Sequence, residues 1–546
     1  MLPFDSGEGV PGTASGLTLT VFASYHSIRR FSGPRALRFG FARASLLAFS
    51  SIEIPALLVP CSLNNSEWPK QLPRADQAFV GYARVISGPF ARKVESMPDN
   101  VMTNWFGNVV SHPGVIVEAN SVDDIVAVIK DPVKYPSPVR AVGSNHSTSP
   151  CGTADGGTLI KMKMNQIVNI GEDTLTAQAG AIHIDLAKVL EARNLQFYVN
   201  TEIGNLSVGS AACAGTKDAS FSGEYGQVGS YITAVKMVLP NGDLLKVDES
   251  TQPELMQKIR CSYGLFGIIY EATYKIRPLT PMAVHHKSFS LADFVSALPD
   301  LKALNESMML YIFPFSDTIT VEFRKYNPGA TGEPNRAAWA VRNHIWGTSG
   351  PKFGYEVEKT VSSPTVRYGI IDAFNASWRL TLETIVSSDY TIPGDQIIDY
   401  PLVSDDSRYT FSLFAFPEDD YPAAITDFFK FCKDYYAQTG YRSNLLYVGY
   451  RIAQDQKSLL SYSWDGPVMT IDPVSTGNPG WDEFLGVYNQ FCIERNGVPL
   501  FNQTAELTPE IVKKAYGDRL TSMGETRKQY DPQNRLLNDY FRNLIP

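Results

Sequence analysis

The 546-residue sequence lacks the long apolar runs that a membrane-spanning helix requires. No run reaches about 18 apolar residues, and a stretch such as 445–448 is interrupted by polar residues within a few positions. Cysteine is also scarce: the six cysteines show neither the CxxC spacing of a zinc site nor the density of a disulfide scaffold. We therefore predict no membrane span and no metal site, and a reducing compartment fits.

The sequence has no excess of basic residues, since 48 Lys and Arg face 56 Asp and Glu and the net charge is −8. Proteins that bind nucleic acid need positive charge to neutralise the phosphate backbone. Nucleic acid is therefore not an expected partner. The composition, 44% hydrophobic and 19% charged, is that of a globular chain long enough for about two or three cores.

The N-terminal region has an unusual charge pattern. No acidic residue occurs between Glu8 and Glu53, whereas five arginines lie between positions 29 and 43. This composition is typical of an organelle transit peptide, but acidic residues precede it, and a poorly ordered tail or a mispredicted gene start fits as well. We predict that residues 1–103 form an N-terminal extension, partly disordered or targeting, which leaves the compartment open between cytoplasm and mitochondrion.

Folded structure is predicted from about residue 104. Residues 114–118 indicate a strand, and Ser121 with Asp124 forms a capping box that opens a helix. Beyond Pro278 the strands become longer and alternate, with a hairpin turn at 316–317 and a helix at 423–436. This order predicts an α+β fold class with a second domain, whose antiparallel sheet is covered on one side.

Three loops of small residues, at 143–147, 204–216 and 264–269, each lie beside a predicted strand. Backbone N–H groups that converge in such loops can bind a pyrophosphate, because no Cβ blocks the approach of the anion. Neither the GxGxxG pattern of Rossmann folds nor the Walker pattern occurs in them, which disfavours nicotinamide and ATP. The loops favour a large dinucleotide, and ordinary turns are the alternative.

The first loop contains His146, which alone would indicate only a surface or core histidine. Its surroundings, Val142-Gly-Ser-Asn-His-Ser147 preceded by Arg140, resemble the pyrophosphate loop of the vanillyl-alcohol oxidase, or p-cresol methylhydroxylase (PCMH), type flavoproteins. The resemblance is closest to the aldonolactone (L-gulonolactone, D-arabinono-1,4-lactone) and alditol oxidase branch, where this loop reads V-G-G-G-H-S. It implies that FAD is the cofactor and that His146 is bonded covalently to the flavin 8α-methyl group.

The resemblance continues in family order from residue 104 to residue 278, and residues 530–540 resemble the family's closing D-P-x-x-x-x-x-N-x-Y segment. It implies a two-domain PCMH-type FAD-binding fold. Residues 104–278 would bind FAD, residues 279–500 would form an antiparallel-sheet substrate or cap domain, and residues 501–546 would return to the FAD domain.

The resemblance also implies which residues contact the cofactor. Cys151 and Cys213 are not among them, and we expect both to pack as small buried residues nearby. The implied cofactor-binding residues are Val142, Gly143, Ser144, Asn145, His146, Ser147, Ser207, Val208, Gly209, Ser210, Gly215, Thr216, Gly264, Gly267, Ile268 and Ile269.

In the lactone and alditol branch one strand carries an E-x-R pair, and its arginine stabilises negative charge on reduced flavin. Matching residues 446–461 to that strand puts Arg451 on the arginine and Gly449 on the glutamate. The resemblance thus makes Arg451 the predicted catalytic residue, with a plain surface arginine as the alternative. Tyr450 is predicted to point to the opposite strand face, because successive strand residues alternate.

Two further family positions are changed: Leu500 stands where the family has histidine and Gln503 where it has lysine. These changes, with the missing glutamate, weaken the case for a sugar or lactone substrate, because those groups would orient hydroxyls or take a proton. Glu322 and Arg324 repeat the E-x-R letters earlier in the chain, and we predict that they lie on a solvated strand face.

The expected function is that of an FAD-dependent oxidoreductase. It would transfer hydride from an alcohol or lactone-type CH–OH donor to covalently bound flavin, with a small-molecule substrate and O₂ or another electron acceptor as partners. Two alternatives stay open: a flavin-dependent dehydrogenase or oxidative cyclase with a non-sugar substrate, and a catalytically degenerate flavoprotein that acts as a binding module.

Overall fold

The computed structural model describes residues 100–400, 406 and 408–546. The predicted N-terminal extension therefore lies almost entirely outside the described residues, and its proposed targeting role stays a prediction. Within the described part of the chain, no helix is both long and apolar enough to cross a membrane.

The strands are short at the N-terminal end and longer in the middle of the chain. Numbered in chain order, they are β1 (Met102–Thr103), β2 (Val110–Ser111), β3 (Val115–Ala119), β4 (Val139–Val142), β5 (Thr158–Met162), β6 (Ile167–Ile170), β7 (Thr174–Gln178), β8 (Leu195–Phe197), β9 (Ile232–Val238), β10 (Leu244–Asp248), β11 (Ile268–Pro278), β12 (Met282–Ser290), β13 (Ser307–Phe313), β14 (Thr318–Tyr326), β15 (Ser388–Thr391), β16 (Thr410–Phe411), β17 (Phe414–Pro417), β18 (Tyr447–Ile452), β19 (Val468–Ile471), β20 (Val474–Ser475) and β21 (Val498–Pro499).

The α-helices alternate with these strands. They are α1 (Val122–Lys130), α2 (His183–Glu191), α3 (Val208–Ala211), α4 (Pro253–Ile259), α5 (Leu291–Ala303), α6 (Arg336–His344), α7 (Gly350–Thr360), α8 (Pro364–Thr381), α9 (Tyr421–Thr439), α10 (Trp481–Ile493), α11 (Pro509–Tyr516), α12 (Asp518–Tyr530) and α13 (Asp539–Leu544). Two π-helical turns, Ile345–Ser349 and Leu382–Val386, follow α6 and α8.

A small parallel sheet of order β3-β5-β4 follows the short antiparallel pair β1-β2. Helix α1 follows β3 and begins at the predicted capping box: the Ser121 backbone N–H donates to the Asp124 carboxylate at 2.9 Å, and the Asp124 N–H donates to Ser121 Oγ at 3.2 Å. The apolar face of α1 is buried as its periodicity predicts.

The second sheet has the order β10-β9-β11-β7-β6, with β8 paired to β11, and its pairs are antiparallel. Strands β9 and β10 form the hairpin predicted at Asn241-Gly242, where Gly242 has a φ of 85°. This sheet and the parallel sheet carry the loops at 143–147, 204–216 and 264–269 between their strands.

The third sheet has the order β15-β12-β14-β13-β18-β19-β17-β21 and confirms the predicted antiparallel sheet. The predicted hairpin joins β13 to β14, with Asp317 in the left-handed region. The expectation that only one face is covered was wrong. Leu310 packs with α5, α9 and α10, whereas its neighbour Tyr311 packs with Trp339 of α6 and Trp378 of α8. Every residue of β13 is therefore buried.

Glu322 and Arg324, predicted on a solvated strand face, are fully buried on β14. The prediction failed because helices α6 to α8 cover that face of the sheet. Arg324 Nη1 pairs with Asp218 at 2.8 Å and its Nε donates to Glu322 at 2.5 Å, and His286 Nε2 lies 2.9 Å from the other Glu322 oxygen. Each buried charge thus has a charged partner, as burial requires.

The end of the chain packs against α1, β4 and the segment that follows β4. Arg535 donates to the carbonyls of Val128 and Ile129 at the end of α1, and Arg140 Nη1 of β4 donates to the Leu536 carbonyl at 3.0 Å. Asn538 donates to the Thr153 carbonyl at 3.0 Å. These contacts place the C-terminal segment beside the parallel sheet.

Candidate active site

The three small-residue loops meet around one cleft of about 1120 Å³. All of the predicted cofactor-binding residues line it except Val208, which is fully buried in the core, and Gly215. A Cβ on Gly215 would lie 2.8 Å from the Leu500 side chain, so this glycine allows close packing behind the cleft wall. Long-range packing thus brings together loops that are far apart in the sequence.

The first loop is held from outside the cleft. Asn145, at a φ of 58°, donates from its side chain to the Thr103 carbonyl at 2.7 Å, and its own carbonyl accepts from Trp105 N at 2.9 Å. Among the described residues, no acceptor is found for the backbone N–H groups of residues 143–147. A Cβ on Gly143 would lie 1.8 Å from Ser207 Oγ, so only glycine fits where the first two loops meet. The loop therefore offers donors suited to an anion.

His146 lies in the cleft wall between aromatic rings. Its ring centroid is 5.5 Å from that of Trp105, in a stacked arrangement, and 6.4 Å from that of Tyr400. Burial lowers the pKa of His146 to about 4, because the charged imidazolium is poorly solvated there. The imidazole is therefore neutral near pH 7 and keeps an unprotonated ring nitrogen.

The polar atoms at the far wall of the cleft are acceptors. Asn502 Oδ1 and Gln503 Oε1 are buried and have no donor partner within the described residues. Cys151 and Cys213 line the same cleft and are buried, as expected for small packing residues. Burial raises the pKa of Cys213 to about 12, so its thiol is protonated and unreactive.

A second cavity of about 560 Å³ adjoins the cleft, because Ile203, Leu206, Thr216 and Gln503 line both. Its walls come from the third sheet and from segments near it. Five aromatic residues line it: Trp346, Tyr400, Tyr409, Phe411 and Tyr450. A molecule in this cavity would thus lie directly against whatever fills the cleft.

One ion pair stands in this second cavity. Lys217 Nζ lies 3.0 Å from Asp472 Oδ2 and 3.6 Å from the centroid of the Tyr450 ring, and both charged side chains are almost fully buried. Asp472 Oδ1 is buried without a partner in the described chain. Burial raises the pKa of Asp472 to about 6, with Lys217 and the Thr470 hydroxyl opposing that rise. Asp472 can therefore both accept and release a proton near neutral pH.

The other acidic group of the cavity is fully engaged. Glu202 Oε2 accepts from the Tyr450 hydroxyl at 2.8 Å, and Oε1 pairs with the buried guanidinium of Arg342. Arg342 in turn donates to the Tyr311 hydroxyl at 3.0 Å. This network holds the Tyr450 side chain in place. Of the two carboxylates named in this cavity, Asp472 is therefore the one with an available oxygen.

The structure does not bring Arg451 to the cleft or to the second cavity. Its guanidinium pairs with Glu418 on the opposite face of β18, whereas Tyr450 lines the cavity. The predicted alternation of these two residues is correct, but the face that points inward is that of Tyr450. Gly449 has no side chain that could act in catalysis. Packing explains the glycine, since a Cβ there would lie 2.4 Å from the Thr470 carbonyl oxygen.

Lys217, Asp472 and Glu202 were not predicted as site residues from the sequence. A signal existed for Lys217, which with Asp218 forms a pair of charged residues directly after the small-residue run 204–216. Asp472 directly follows the buried strand β19, and a carboxylate is unusual beside such a strand. Their pairing joins positions 255 residues apart and has no local signature.

Comparison with known proteins agrees with this arrangement. The family described as FAD binding domain matches residues 113–248. The L-gulono-1,4-lactone dehydrogenase of Mycobacterium tuberculosis (strain CDC 1551 / Oshkosh) is 25% identical over 40% of this chain and 50% of its own. The D-arabinono-1,4-lactone oxidase of Eremothecium gossypii is 24% identical over 47% of this chain and 48% of its own. The chain spans about half the length of these curated relatives.

A solved structure of cholesterol oxidase from B. sterolicum has the same fold, with a TM-score of 0.64 and 15% identity over 85% of this chain and all of that one. The cleft fits FAD chemically. The N–H groups of residues 143–147 suit phosphate oxygens, whereas Asn502 Oδ1 and Gln503 Oε1 suit N–H or O–H donors. The chain thus contains a region that matches an FAD binding domain, shares the fold of this cholesterol oxidase structure, and is similar in sequence to lactone oxidases and a lactone dehydrogenase over nearly half of its length.

Proposed function

We propose that this protein is an FAD-dependent oxidoreductase that oxidises a CH–OH group of an alcohol or a lactone. The observation that carries the proposal is the shared wall of the FAD cleft and the second cavity, formed by four residues including Thr216 and Gln503. FAD, when bound, accepts the hydride that such a reaction removes. The names of the relatives, a lactone dehydrogenase and lactone oxidases, support this reaction class.

His146 is proposed to anchor the cofactor covalently through its imidazole. Its position in the wall of the cleft and its neutral ring support this role, because a bond to carbon needs an unprotonated nitrogen. The rings of Trp105 and Tyr400 restrict how the imidazole can turn. The protonated, buried thiols of Cys151 and Cys213 favour a single covalent link.

Asp472 is proposed to take the proton of the substrate hydroxyl. Its Oδ1 atom is an available carboxylate oxygen in the second cavity, where the other unpartnered acceptor, Gln503 Oε1, belongs to an amide that cannot act as a base, and Lys217 holds Oδ2 and favours the ionised form. The Tyr450 hydroxyl donates to Glu202. Tyr450 is therefore proposed to shape the cavity wall and not to take the substrate proton. The proton of the hydroxyl group would thereby pass to the carboxylate, and the hydride of the C–H bond would pass to the cofactor.

O₂ is proposed as the electron acceptor, and a dehydrogenase is the second candidate because one relative carries that name. Purified holoprotein is mixed anaerobically with a panel of lactones and alcohols, and flavin absorbance is followed. Bleaching by any donor supports an oxidoreductase, and rapid recovery of the colour in air supports an oxidase. Holoprotein that no donor bleaches would support a flavin-binding module and contradict the proposed reaction.

A further inference from the structure

A third, narrower cavity adjoins the second one. The two cavities share Trp346, Tyr409 and Val474, so these three side chains form a common wall between the space beside Asp472 and the third cavity. Together with the FAD cleft they form a series of three: a cleft for the cofactor, a cavity with the ion pair, and an apolar cavity beyond it. The order of these three spaces indicates which kind of substrate would fit.

The walls of the third cavity are mostly apolar, with two polar residues, Asn375 and Asn444. The apolar residues include Ile345, Phe353, Ile371, Phe374 and Leu446. The Asn444 amide on this wall is already engaged, because its nitrogen donates to the Gly354 carbonyl and to Thr476 Oγ1, and its oxygen accepts from Thr476 N.

One hydrogen-bonding group of this cavity stands out. The indole N–H of Trp378, which lines the third cavity, is a buried donor for which the described residues supply no acceptor. The surroundings of this indole therefore suit a largely apolar ligand that carries a distal acceptor, and the Asn375 amide on the same wall could bind the same polar group.

The backbone places Trp346 at the junction of the two cavities. The residue lies in the π-helical turn Ile345–Ser349 between α6 and α7, and such turns are rare and frequent at functional sites. Gly347 in this turn packs closely, since a Cβ there would lie 2.9 Å from Ile398 Cγ2. The turn thereby fixes the indole between the ion pair and the apolar walls.

From this series we infer, on the basis of the proposed function, that the substrate is an amphipathic alcohol rather than a polyhydroxylated lactone. Its single reacting CH–OH group lies in the second cavity beside Asp472 and Lys217. Its apolar body passes Trp346 and Tyr409 into the third cavity, where Trp378 can donate to one distal acceptor. A polyol in the same place would lose water from several hydroxyl groups, of which the mostly apolar walls could bind only a few.

Binding to the anaerobic holoprotein, measured by isothermal titration calorimetry, tests this class independently of turnover. The probes are benzyl alcohol, 3-phenylpropan-1-ol and 5-phenylpentan-1-ol, against L-gulono-1,4-lactone and D-arabinono-1,4-lactone. We expect Kd to fall along the alcohol series by about fourfold per added methylene until the third cavity is filled. We expect each lactone to bind at least about tenfold more weakly than the longest alcohol, because several of its hydroxyl groups stay unpaired.

The variant Phe374→Asp introduces charge at a half-buried position of the third cavity and should abolish the gain with chain length. Phe374→Leu should retain it. The matched control is Phe431→Asp, a half-buried phenylalanine of α9 outside the three cavities. If the Asp variants do not fold, the Leu variant and the wild-type series still decide the matter.

Two results would overturn the inference. One is a Kd for either lactone equal to or below that of the longest alcohol, and the other is an alcohol series with no dependence on length. Flavin bleaching by a lactone combined with tight lactone binding would reject the amphipathic class while leaving the oxidoreductase proposal intact. Conversely, length-dependent alcohol binding without any bleaching would support the cavity assignment and reject the reaction.

Discussion

Lys217 and Asp472 form a buried ion pair in which only one carboxylate oxygen is used. Oδ2 lies 3.0 Å from the ammonium, whereas Oδ1 is buried without a donor among the described residues. A carboxylate that served stability alone would gain from a second partner, because an unpaired buried oxygen costs about 1–3 kcal/mol. The arrangement suits a group whose missing partner is a substrate hydroxyl.

The pH dependence of kcat/KM is expected to report on Asp472. Because the base must be ionised and its pKa is raised to about 6, kcat/KM should rise with pH through about 6 and level off above it. The neighbouring Tyr450 and Tyr462 do not titrate in this range, since burial keeps their pKa well above 10. Asp472→Asn should lower kcat/KM by about 10²- to 10⁴-fold and remove this limb. An unchanged limb in the variant would exclude Asp472 as the base.

Lys217→Met should move the acidic limb to higher pH. Removal of the cation leaves the burial of Asp472 unopposed, so the pKa of the carboxyl should rise further, by about one unit or more. The measurement is the pH profile of flavin reduction in single-turnover mixing. Lys302→Met, which removes a partly exposed lysine paired with Glu418, serves as the control and should leave the profile in place. A limb that stays at the wild-type pH would show that Lys217 does not tune this carboxylate.

Arg451→Ala is expected to leave the rate of flavin reduction unchanged. The resemblance to the lactone and alditol branch, in contrast, implies that Arg451 stabilises negative charge on reduced flavin. The side chain is partly exposed, pairs with Glu418 and lies on the face of β18 away from the cavity. Stopped-flow reduction of the variant and of wild type under the same conditions measures this. A loss of about 100-fold would mean that the arginine does reach the flavin, and the inward face of β18 would have to be reassigned.

Gly449→Ala should destabilise the fold, because the added Cβ would lie 2.4 Å from the Thr470 carbonyl oxygen of the neighbouring strand. Overpacking of this kind costs about 1–3 kcal/mol, which a fall in Tm would reveal. Gly486→Ala on α10 is the matched control, since nothing lies within 4 Å of its Cβ position. Equal Tm values for the two variants would mean that β18 and β19 can separate enough to admit a side chain.

Local signals in the sequence predicted much of the fold. The Ser121 and Asp124 capping box and the hairpin at Asn241-Gly242 occur where expected, because each depends on a few adjacent residues. The three small-residue loops meet around one cleft, as expected for loops that bind one dinucleotide. The resemblance of the first loop to a flavoprotein loop indicated that this dinucleotide is FAD.

The sequence could not predict what depends on packing between distant segments. A shift of one residue along a strand exchanges its two faces, so a short match to β18 could not decide between Tyr450 and Arg451. The helices that bury Glu322 lie later in the chain, and no residue near Glu322 indicates that they cover it. The Lys217 and Asp472 pair likewise arises only when β19 packs beside the loop at 204–216.

Acid precipitation of the purified protein tests the central claim, that His146 anchors FAD in the loop-lined cleft, most directly. We predict that the yellow colour stays with the wild-type polypeptide after precipitation and washing. In His146→Ala any flavin should pass into the supernatant. A colourless wild-type protein from flavin-replete cells, or a precipitate of the His146→Ala variant that stays yellow, would contradict the account.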